Sequence, residues 1–101
     1  MKIFISQAMR GRTDEAIREE REQIKAQAEA RYGENSVTFL QSFFDEEPPE
    51  GGNVSVKYLA KSVEVLADAD LAIFAPKCLN NNGCYIEYEV CRRYGIATLL
   101  L

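Results

Sequence analysis

The stretch from Leu71 to Tyr94 constrains the fold more than any other part of the chain. It opens with the run Leu-Ala-Ile-Phe-Ala, which is apolar on both faces and is typical of a central parallel strand covered on both sides. Pro76 ends this strand, because proline cannot donate to a hydrogen-bond ladder. An Asn-rich turn closing on Gly83 then leads into a helix. The stretch therefore predicts a strand, a tight turn and a helix, as in a parallel α/β sheet.

Strands and helices are predicted to alternate along the rest of the chain. Apolar and β-branched runs indicate strands, and amphipathic repeats with capping residues indicate helices. In chain order, the predicted elements are strand 2–6, helix 14–32, strand 36–44, a helix from residue 53 or 55, strand 71–75, a helix after the Asn-rich turn, and strand 96–101. This order predicts one α/β domain over residues 1–101, three-layered and flavodoxin-like or Rossmann-like. It has three helices and a four-stranded parallel sheet in the order 2-1-3-4.

Local signals predict how the helices begin, end and pack. Thr13 is the expected N-cap of the first helix and Gly33 its C-cap. Asn82 is the expected N-cap of the last helix, and the asparagines before it are expected to accommodate left-handed backbone conformations. The second helix carries four apolar residues spaced to form one buried stripe. They are Val56, Leu59, Val63 and Leu66.

Composition excludes several classes of function. The chain has 101 residues and a formal net charge of −4, with no clustered excess of Lys and Arg. Nucleic-acid binders need such a cluster for their phosphate contacts. No apolar segment approaches the length of a membrane span or a signal peptide. The sequence therefore predicts a cytoplasmic protein that binds neither nucleic acid nor a membrane.

The three cysteines are expected to be reduced thiols that pack in the interior. Cys84 and Cys91 fall on one face of the last predicted helix, and Cys78 lies in the loop before it. A zinc site would need closer pairs and usually a fourth ligand, and the chain contains no histidine. No metal and no cofactor are predicted. The absence of histidine also excludes Ser-His and Cys-His nucleophile pairs.

Two carboxylates in the last helix are candidates for a site. Glu87 and Glu89 are two positions apart in the sequence, which places them about 200° apart around a helix, so only one can face a crevice. Glu87 is on the side expected to meet the turn and the strand ends. A carboxylate there would lie near the positive end of the helix dipole, where open α/β sheets bind ligands. The alternative for either side chain is a surface salt bridge.

The loop after the first strand is predicted to line the crevice together with the turn after the third strand, and a second loop has two interpretations. The first, after the first strand, combines Ser6 and Gly11 with Arg10 and Arg12, and its backbone N–H groups suit an anion or sugar hydroxyls. It matches neither the Walker loop nor the dinucleotide fingerprint, and the alternative is that both arginines are only solvated. The second, residues 45–53, is acidic and rich in Pro and Gly. It is either a surface loop or a mobile cover over the site.

The predicted sheet has apolar surface that three helices do not cover. Its third and fourth strands are apolar on both faces, while the first helix is expected to lie near the first two strands. An exposed patch is therefore expected at Leu71, Ile73, Leu99 and Leu101, or at their alternates. Monomeric proteins rarely expose such a patch, so the sequence predicts a homodimer or a larger assembly.

Three stretches resemble the nucleoside 2-deoxyribosyltransferase superfamily, and more closely its short relatives in bacteria and phages. Residues 3–11, Ile-Phe-Ile-Ser-Gln-Ala-Met-Arg-Gly, are similar to its first strand and sugar-binding loop. Residues 61–75 are similar to the helix that leads into its third strand. Residues 83–89, Gly-Cys-Tyr-Ile-Glu-Tyr-Glu, are similar to its glycine-to-glutamate motif, whose nucleophilic glutamate falls on Glu87.

The resemblance implies cleavage of the N-glycosidic bond of a deoxyribonucleoside or its 5′-monophosphate. Glu87 would be the ionised nucleophile, as in retaining glycosidases, and no cofactor would be needed. The first loop would hold the sugar or 5′-phosphate, and Asn81 would bond the 5′ end. The implied substrate-binding residues are Ser6, Met9, Arg10, Gly11, Ser62, Asn81 and Gly83.

Departures from the family pattern leave other functions open. Active members carry Asp in place of Ser62, and Asp or Ser in place of Asn81. The general acid is not evident from the sequence; Asp45, Glu46 and Tyr58 are candidates. One alternative is a non-catalytic module that binds a nucleotide or nucleotide-sugar. Another is a phage-derived interaction protein that recruits a partner through its apolar sheet face and acidic loop.

Overall fold

The computed structural model describes residues 1–42 and 51–101. Within them, strands and α-helices alternate as the sequence predicts. The elements are β1 (Lys2–Ser6), α1 (Asp14–Tyr32), β2 (Thr38–Phe39), α2 (Val54–Leu66), β3 (Leu71–Phe74), α3 (Asn82–Tyr94) and β4 (Ala97–Leu100). Short 3₁₀ turns, Glu34–Ser36 and Cys78–Asn80, precede β2 and α3. None of the helices in this part of the chain is long and apolar enough to cross a membrane.

The four strands form one parallel sheet in the order β2-β1-β3-β4, which confirms the predicted topology. The register places Ile3 opposite Leu71 and Ser6 opposite Phe74. The chain winds outward in opposite directions from the β1–β3 pair. The loops that follow β1 and β3 therefore diverge at that point, which is where parallel sheets of this class bind ligands.

Helices cover both faces of the sheet. On one face, the Phe74 ring packs edge-on against Tyr88 of α3, with ring centroids 5.5 Å apart. On the other face, Ile73 and two residues of α1, Ile24 and Ala28, line a small cavity of about 160 Å³. β1 and β3 are buried almost throughout because they occupy the middle of the sheet. The result is the predicted three-layer arrangement.

The second strand is shorter than predicted. Residues 36–44 were expected to be extended, but Ser36 lies in a 3₁₀ turn and β2 comprises only Thr38–Phe39. Residues 43 and 44 lie outside the described residues. β2 pairs with the amino end of β1, and beyond that point Ser42 bonds the Ile5 carbonyl through its side chain instead of its backbone.

The apolar stripe of α2 is buried only at its carboxyl end. Leu66 is fully buried and Leu59 and Val63 are half-buried, but Val56 is 57% exposed. The prediction of one continuous buried stripe is therefore wrong. The reason is that the amino-terminal half of α2 borders an open cleft. Asn53, one of the two predicted starts of this helix, caps α2, and its Oδ1 atom accepts a hydrogen bond from the Val56 amide.

The turn before α3 differs from the predicted one. Asn81, not Asn82, is the N-cap, and its Oδ1 atom accepts hydrogen bonds from the Gly83 and Cys84 amides at 3.0 and 3.3 Å. The asparagines do not adopt left-handed conformations; among the described non-glycine residues, only Lys77 does, with φ 63°. Lys77 precedes the 3₁₀ turn Cys78–Asn80, and Asn81 after that turn is extended, so the left-handed residue lies before the asparagines. The caps of α1, Thr13 and Gly33, are as predicted.

The expected apolar patch is smaller than predicted. Leu71 and Ile73 are buried because α1 extends over β3 as well as β1, so that part of the prediction is wrong. Leu99 is half-buried, and the exposed apolar residues at this edge of the sheet are Leu100 and Leu101. The remaining apolar surface therefore lies along β4.

Candidate functional site

A cleft of about 860 Å³ opens at the carboxyl end of β1, between α2 and the amino-terminal half of α3. Its volume is in the range of small-molecule sites, about 300 to 1,000 Å³. Most of the residues that the sequence implicates border it. They are Ser6, Met9, Arg10, Ser62, Asn81, Gly83 and Glu87.

Glu87 faces this cleft from α3 and is only 7% exposed. Ser6, at the end of β1, donates a hydrogen bond from its Oγ atom to Glu87 Oε1 at 3.2 Å. Glu89 lies on the outer face of the helix and forms salt bridges with Arg92 and Arg93 at 2.7 and 3.2 Å. The prediction that only one of the two carboxylates faces the crevice, and that it is Glu87, is confirmed.

The charge state of Glu87 differs from the expectation. Burial raises the pKa of its carboxyl to about 8; the nearby Cys84 contributes in the same direction, and the hydrogen bond from Ser6 opposes both. Glu87 lies in the second turn of α3, whereas the helix dipole acts mainly within the first. Desolvation therefore outweighs the dipole. A pKa of about 8 favours the protonated carboxyl at pH 7, in contrast to the expected ionised glutamate.

Two thiols lie beside the Ser6–Glu87 pair. Cys78 Sγ approaches Ser6 Oγ at 3.9 Å, as a weak donor to the hydroxyl that itself donates to Glu87. A hydrogen bond from Cys84 lowers the pKa of the Cys78 thiol, and the same bond together with burial raises the pKa of Cys84. Burial likewise raises the pKa of Cys91 to about 11. All three cysteines are free and buried, as predicted.

An arginine closes the first loop. Arg12 Nη1 donates to the Ala8 carbonyl and to Glu20 Oε1, both at 2.9 Å, so this guanidinium is not merely solvated. Arg10 is exposed, borders the cleft and forms no ion pair with another described residue. Gly11, with φ 76°, allows the loop to turn but does not line the cleft, in contrast to its implied role in substrate binding.

Gln7 belongs to the site but was missed by the sequence reasoning. It lines the cleft, is 6% exposed, and donates from Nε2 to the Ile17 carbonyl and to Glu20 Oε1, both at 3.0 Å. Burial raises the pKa of Glu20, but hydrogen bonds from Arg12 and Gln7 lower it by more than that. The pKa of Glu20 is therefore below its usual value, and this carboxyl stays ionised. The available signal was a polar residue directly after a buried strand.

Arg21 is a second buried polar residue that the sequence reasoning missed. Its guanidinium donates to Ser42 Oγ at 2.8 Å and to the Leu40 carbonyl at 2.9 Å, and Ser42 Oγ donates to the Ile5 carbonyl at 2.8 Å. Burial lowers the pKa of Arg21. Its spacing in α1, between Ile17 and the next buried isoleucine, already places it on the buried face.

The remaining candidate residues differ in where they lie relative to the cleft. Ser62 and Tyr58, the latter a candidate general acid, are half-buried and line the cleft from α2. Asn81 lines it too, but its Oδ1 atom is used as the helix cap, which leaves only its amide nitrogen for a ligand. Asp45 and Glu46, and most of the acidic loop proposed as a cover, lie outside the described residues.

Within residues 1–42 and 51–101, no three acidic or cysteine side chains cluster closely enough to hold a metal ion. No protein-family model, curated protein or solved structure matches the chain.

Protonation of Glu87 makes the stability of the fold depend on pH. The folded chain binds this proton more tightly than the unfolded chain, because the pKa rises from 4.5 to about 8 on folding. The stabilisation from this proton is complete below pH 4.5 and is lost as pH rises through about 8. Relative to Glu87→Gln, the wild-type chain should lose up to about 1.4 kcal/mol of unfolding free energy per pH unit in this range.

Urea unfolding at pH 6, 7 and 8 measures this difference. Glu89→Gln is the matched control, because hydrogen bonds from Arg92 and Arg93 lower the pKa of Glu89, which therefore stays ionised over this range. If the free energy of unfolding changes with pH equally in the wild-type chain and in Glu87→Gln, the assigned protonation of Glu87 is contradicted.

Proposed function

We propose that this chain is a cytoplasmic enzyme that cleaves the N-glycosidic bond of a 2′-deoxyribonucleoside or its 5′-monophosphate, as a hydrolase or transferase. Glu87 is the nucleophile. The main support is its buried carboxyl, bonded to Ser6 at 3.2 Å inside a cleft of small-molecule size. The resemblance of residues 3–11 and 83–89 to the nucleoside 2-deoxyribosyltransferase superfamily agrees with this assignment. Three free thiols favour a reducing compartment.

In this mechanism the Glu87 carboxylate attacks C1′ of the sugar. The bond from C1′ to the base nitrogen breaks through an oxocarbenium-like transition state, and its electron pair leaves with the base, which takes up a proton. The resulting glycosyl ester is then resolved by water or by a second base. Glu87 must first lose its own proton. The hydrogen bond from Ser6 favours that step, because it stabilises the carboxylate.

Other residues of the cleft would hold the substrate. Arg10 is an exposed cation at the edge of the cleft without a carboxylate partner among the described residues, which suits a 5′-phosphate. Ser62 and Tyr58 contribute hydroxyl groups from α2, and Met9 contributes apolar surface from the first loop. The cleft thus offers an anion-binding end and a carboxyl end, as a nucleotide requires.

A second candidate function is a binding module that recognises a nucleotide or nucleotide-sugar without turnover. The observation that favours it is the protonated state of Glu87 at neutral pH, because a neutral carboxyl is a poor nucleophile. The use of Asn81 Oδ1 as a helix cap also favours binding without turnover. Thermal stabilisation by deoxynucleotides without release of free base would identify this function.

Release of free base is the direct test of the enzymatic proposal. Incubation with the common 2′-deoxynucleosides and their 5′-monophosphates, followed by chromatography, should show free base for the wild-type chain. Glu87→Gln, which keeps the size of the side chain, should reduce the rate by about 10³-fold or more. Glu89→Gln makes the same change on the outer face of α3 and should keep nearly wild-type activity. Equal release by both variants would exclude Glu87 as the nucleophile.

The dependence of the rate on pH tests the charge state that the mechanism needs. Because only the carboxylate attacks, kcat/KM should rise about tenfold per pH unit and level off near pH 8. Ser6→Ala removes the hydrogen bond that lowers this pKa, so its profile should level off at higher pH. A wild-type rate that does not change between pH 6 and pH 8 would contradict this mechanism.

Self-association is a further part of the proposal. Along β4, Leu100 is 49% and Leu101 39% exposed, and Tyr94 just before the strand is 80% exposed. Residues 96–101 contain no charge or proline, the usual protections of an edge strand. Sedimentation at micromolar concentration should show a dimer, and Leu100→Lys should weaken it. A wild-type chain that sediments as a monomer would refute the proposed self-association.

A further inference from the structure

Two buried thiols contact one another at the wall of the cleft, and the proposed reaction uses neither of them. Cys78 lies in the 3₁₀ turn after β3 and Cys84 in the first turn of α3, and both are 1% exposed. A hydrogen bond from the Cys84 thiol to Cys78 joins them. Cys84 also lines the cleft, so the pair lies at the boundary between the core and the open space.

The pair belongs to a chain of hydrogen bonds that ends at the buried carboxyl. Cys78 Sγ donates weakly to Ser6 Oγ at 3.9 Å, and Ser6 Oγ donates to Glu87 Oε1 at 3.2 Å. A disulfide sulfur carries no hydrogen, so oxidation of Cys78 removes this donor to Ser6. The oxidation state of the two thiols is therefore connected to Glu87 through direct contacts.

The three cysteines differ in how readily they ionise, and the thiolate is the reactive form. The hydrogen bond from Cys84 lowers the pKa of Cys78 because it stabilises the Cys78 thiolate, whereas the same bond and burial raise the pKa of Cys84. At Cys91, seven positions further along α3, burial is the main effect and raises the pKa of the thiol to about 11. Cys78 is therefore the expected nucleophile, with Cys84 as its partner.

We propose that Cys78 and Cys84 form a modification site, which hydrogen peroxide oxidises to an intramolecular disulfide. The Cys78 thiolate attacks one peroxide oxygen, so that an S–O bond forms, the O–O bond breaks, and the hydroxide that leaves takes up a proton to become water. Cys84 then attacks the sulfur of this sulfenic acid. The S–S bond forms, the S–O bond breaks, and the oxygen leaves as a second water with the Cys84 proton. Two electrons pass from the two thiols to one peroxide.

This inference goes beyond the glycosidic activity, because it needs only the two thiols and a peroxide. Hydrogen peroxide is close to water in size, so it can reach a cleft wall that excludes larger oxidants. Because the thiols already contact one another, small shifts are enough to reach the S–S bond length of about 2.05 Å. In a reducing compartment such a disulfide is transient, which is typical of redox-sensing cysteines.

Mapping of the disulfide tests the inference. The folded, fully reduced wild-type chain is treated with one equivalent of hydrogen peroxide, and the remaining thiols are then alkylated in denaturant. Cleavage after Lys77 and Glu87 releases one peptide that contains Cys78 and Cys84 and is separate from Cys91. This peptide should lose the mass of two hydrogen atoms and escape alkylation, while Cys91 is alkylated. Dithiothreitol should restore both thiols.

Cys91→Ser is the matched control, because it changes another buried thiol of α3 and should leave the same disulfide in place. Cys84→Ser removes the second thiol, so Cys78 should remain as a sulfenic acid that dimedone traps.

Oxidation in urea gives a comparison that needs no variant. In the unfolded chain Cys84 is six positions from Cys78 and seven from Cys91, so it should pair with both. A folded chain that gives the same mixture, that pairs Cys91, or that keeps all three thiols would overturn the inference. None of these outcomes bears on the glycosidic activity, which is measured by release of base.

Discussion

The hydrogen bond between Ser6 and Glu87 is the contact on which the candidate site depends. It joins residues far apart in the chain, one at the end of β1 and one inside α3. It forms because β1 and β3 pair in parallel with Ser6 opposite Phe74, while Phe74 packs on Tyr88 of the same helix. A shift of that register by one residue would turn Ser6 to the other face of the sheet. The position of the carboxyl therefore follows from the strand pairing.

Burial, more than the helix dipole, sets the chemistry of Glu87. The carboxyl lies among Ser6, two thiols and apolar side chains, where desolvation favours the protonated form. The same environment strengthens any interaction formed with a bound ligand, because the local dielectric is low. A protonated glutamate at rest is compatible with catalysis if the proton is lost during turnover, and also with simple binding. The two candidate functions therefore differ in whether Glu87 loses this proton after the ligand has bound.

Buried polar contacts hold the loops around the cleft. Arg12, Glu20 and Gln7 connect the first loop to α1, and Arg21 connects α1 to the residues after β2 through Ser42. These contacts join elements whose apolar side chains already form the core, so their role is to fix loop geometry.

The sequence by itself determined the fold class and the strand order. Apolar runs, the caps Thr13 and Gly33, and the alternation of elements indicate this strand order, because parallel strands require right-handed crossovers. It also selected Glu87 over Glu89, since helical periodicity allows only one of them to face the crevice.

Only the tertiary structure decided the short β2, the Asn81 cap, the coverage of Ile73 by α1, and the burial that protonates Glu87. It also showed the hydrogen-bond partners that hold Gln7 and Arg21 in the interior. The physical reason is that periodicity is a property of neighbouring residues, whereas desolvation and hydrogen-bond partners depend on elements that meet only after the chain has folded.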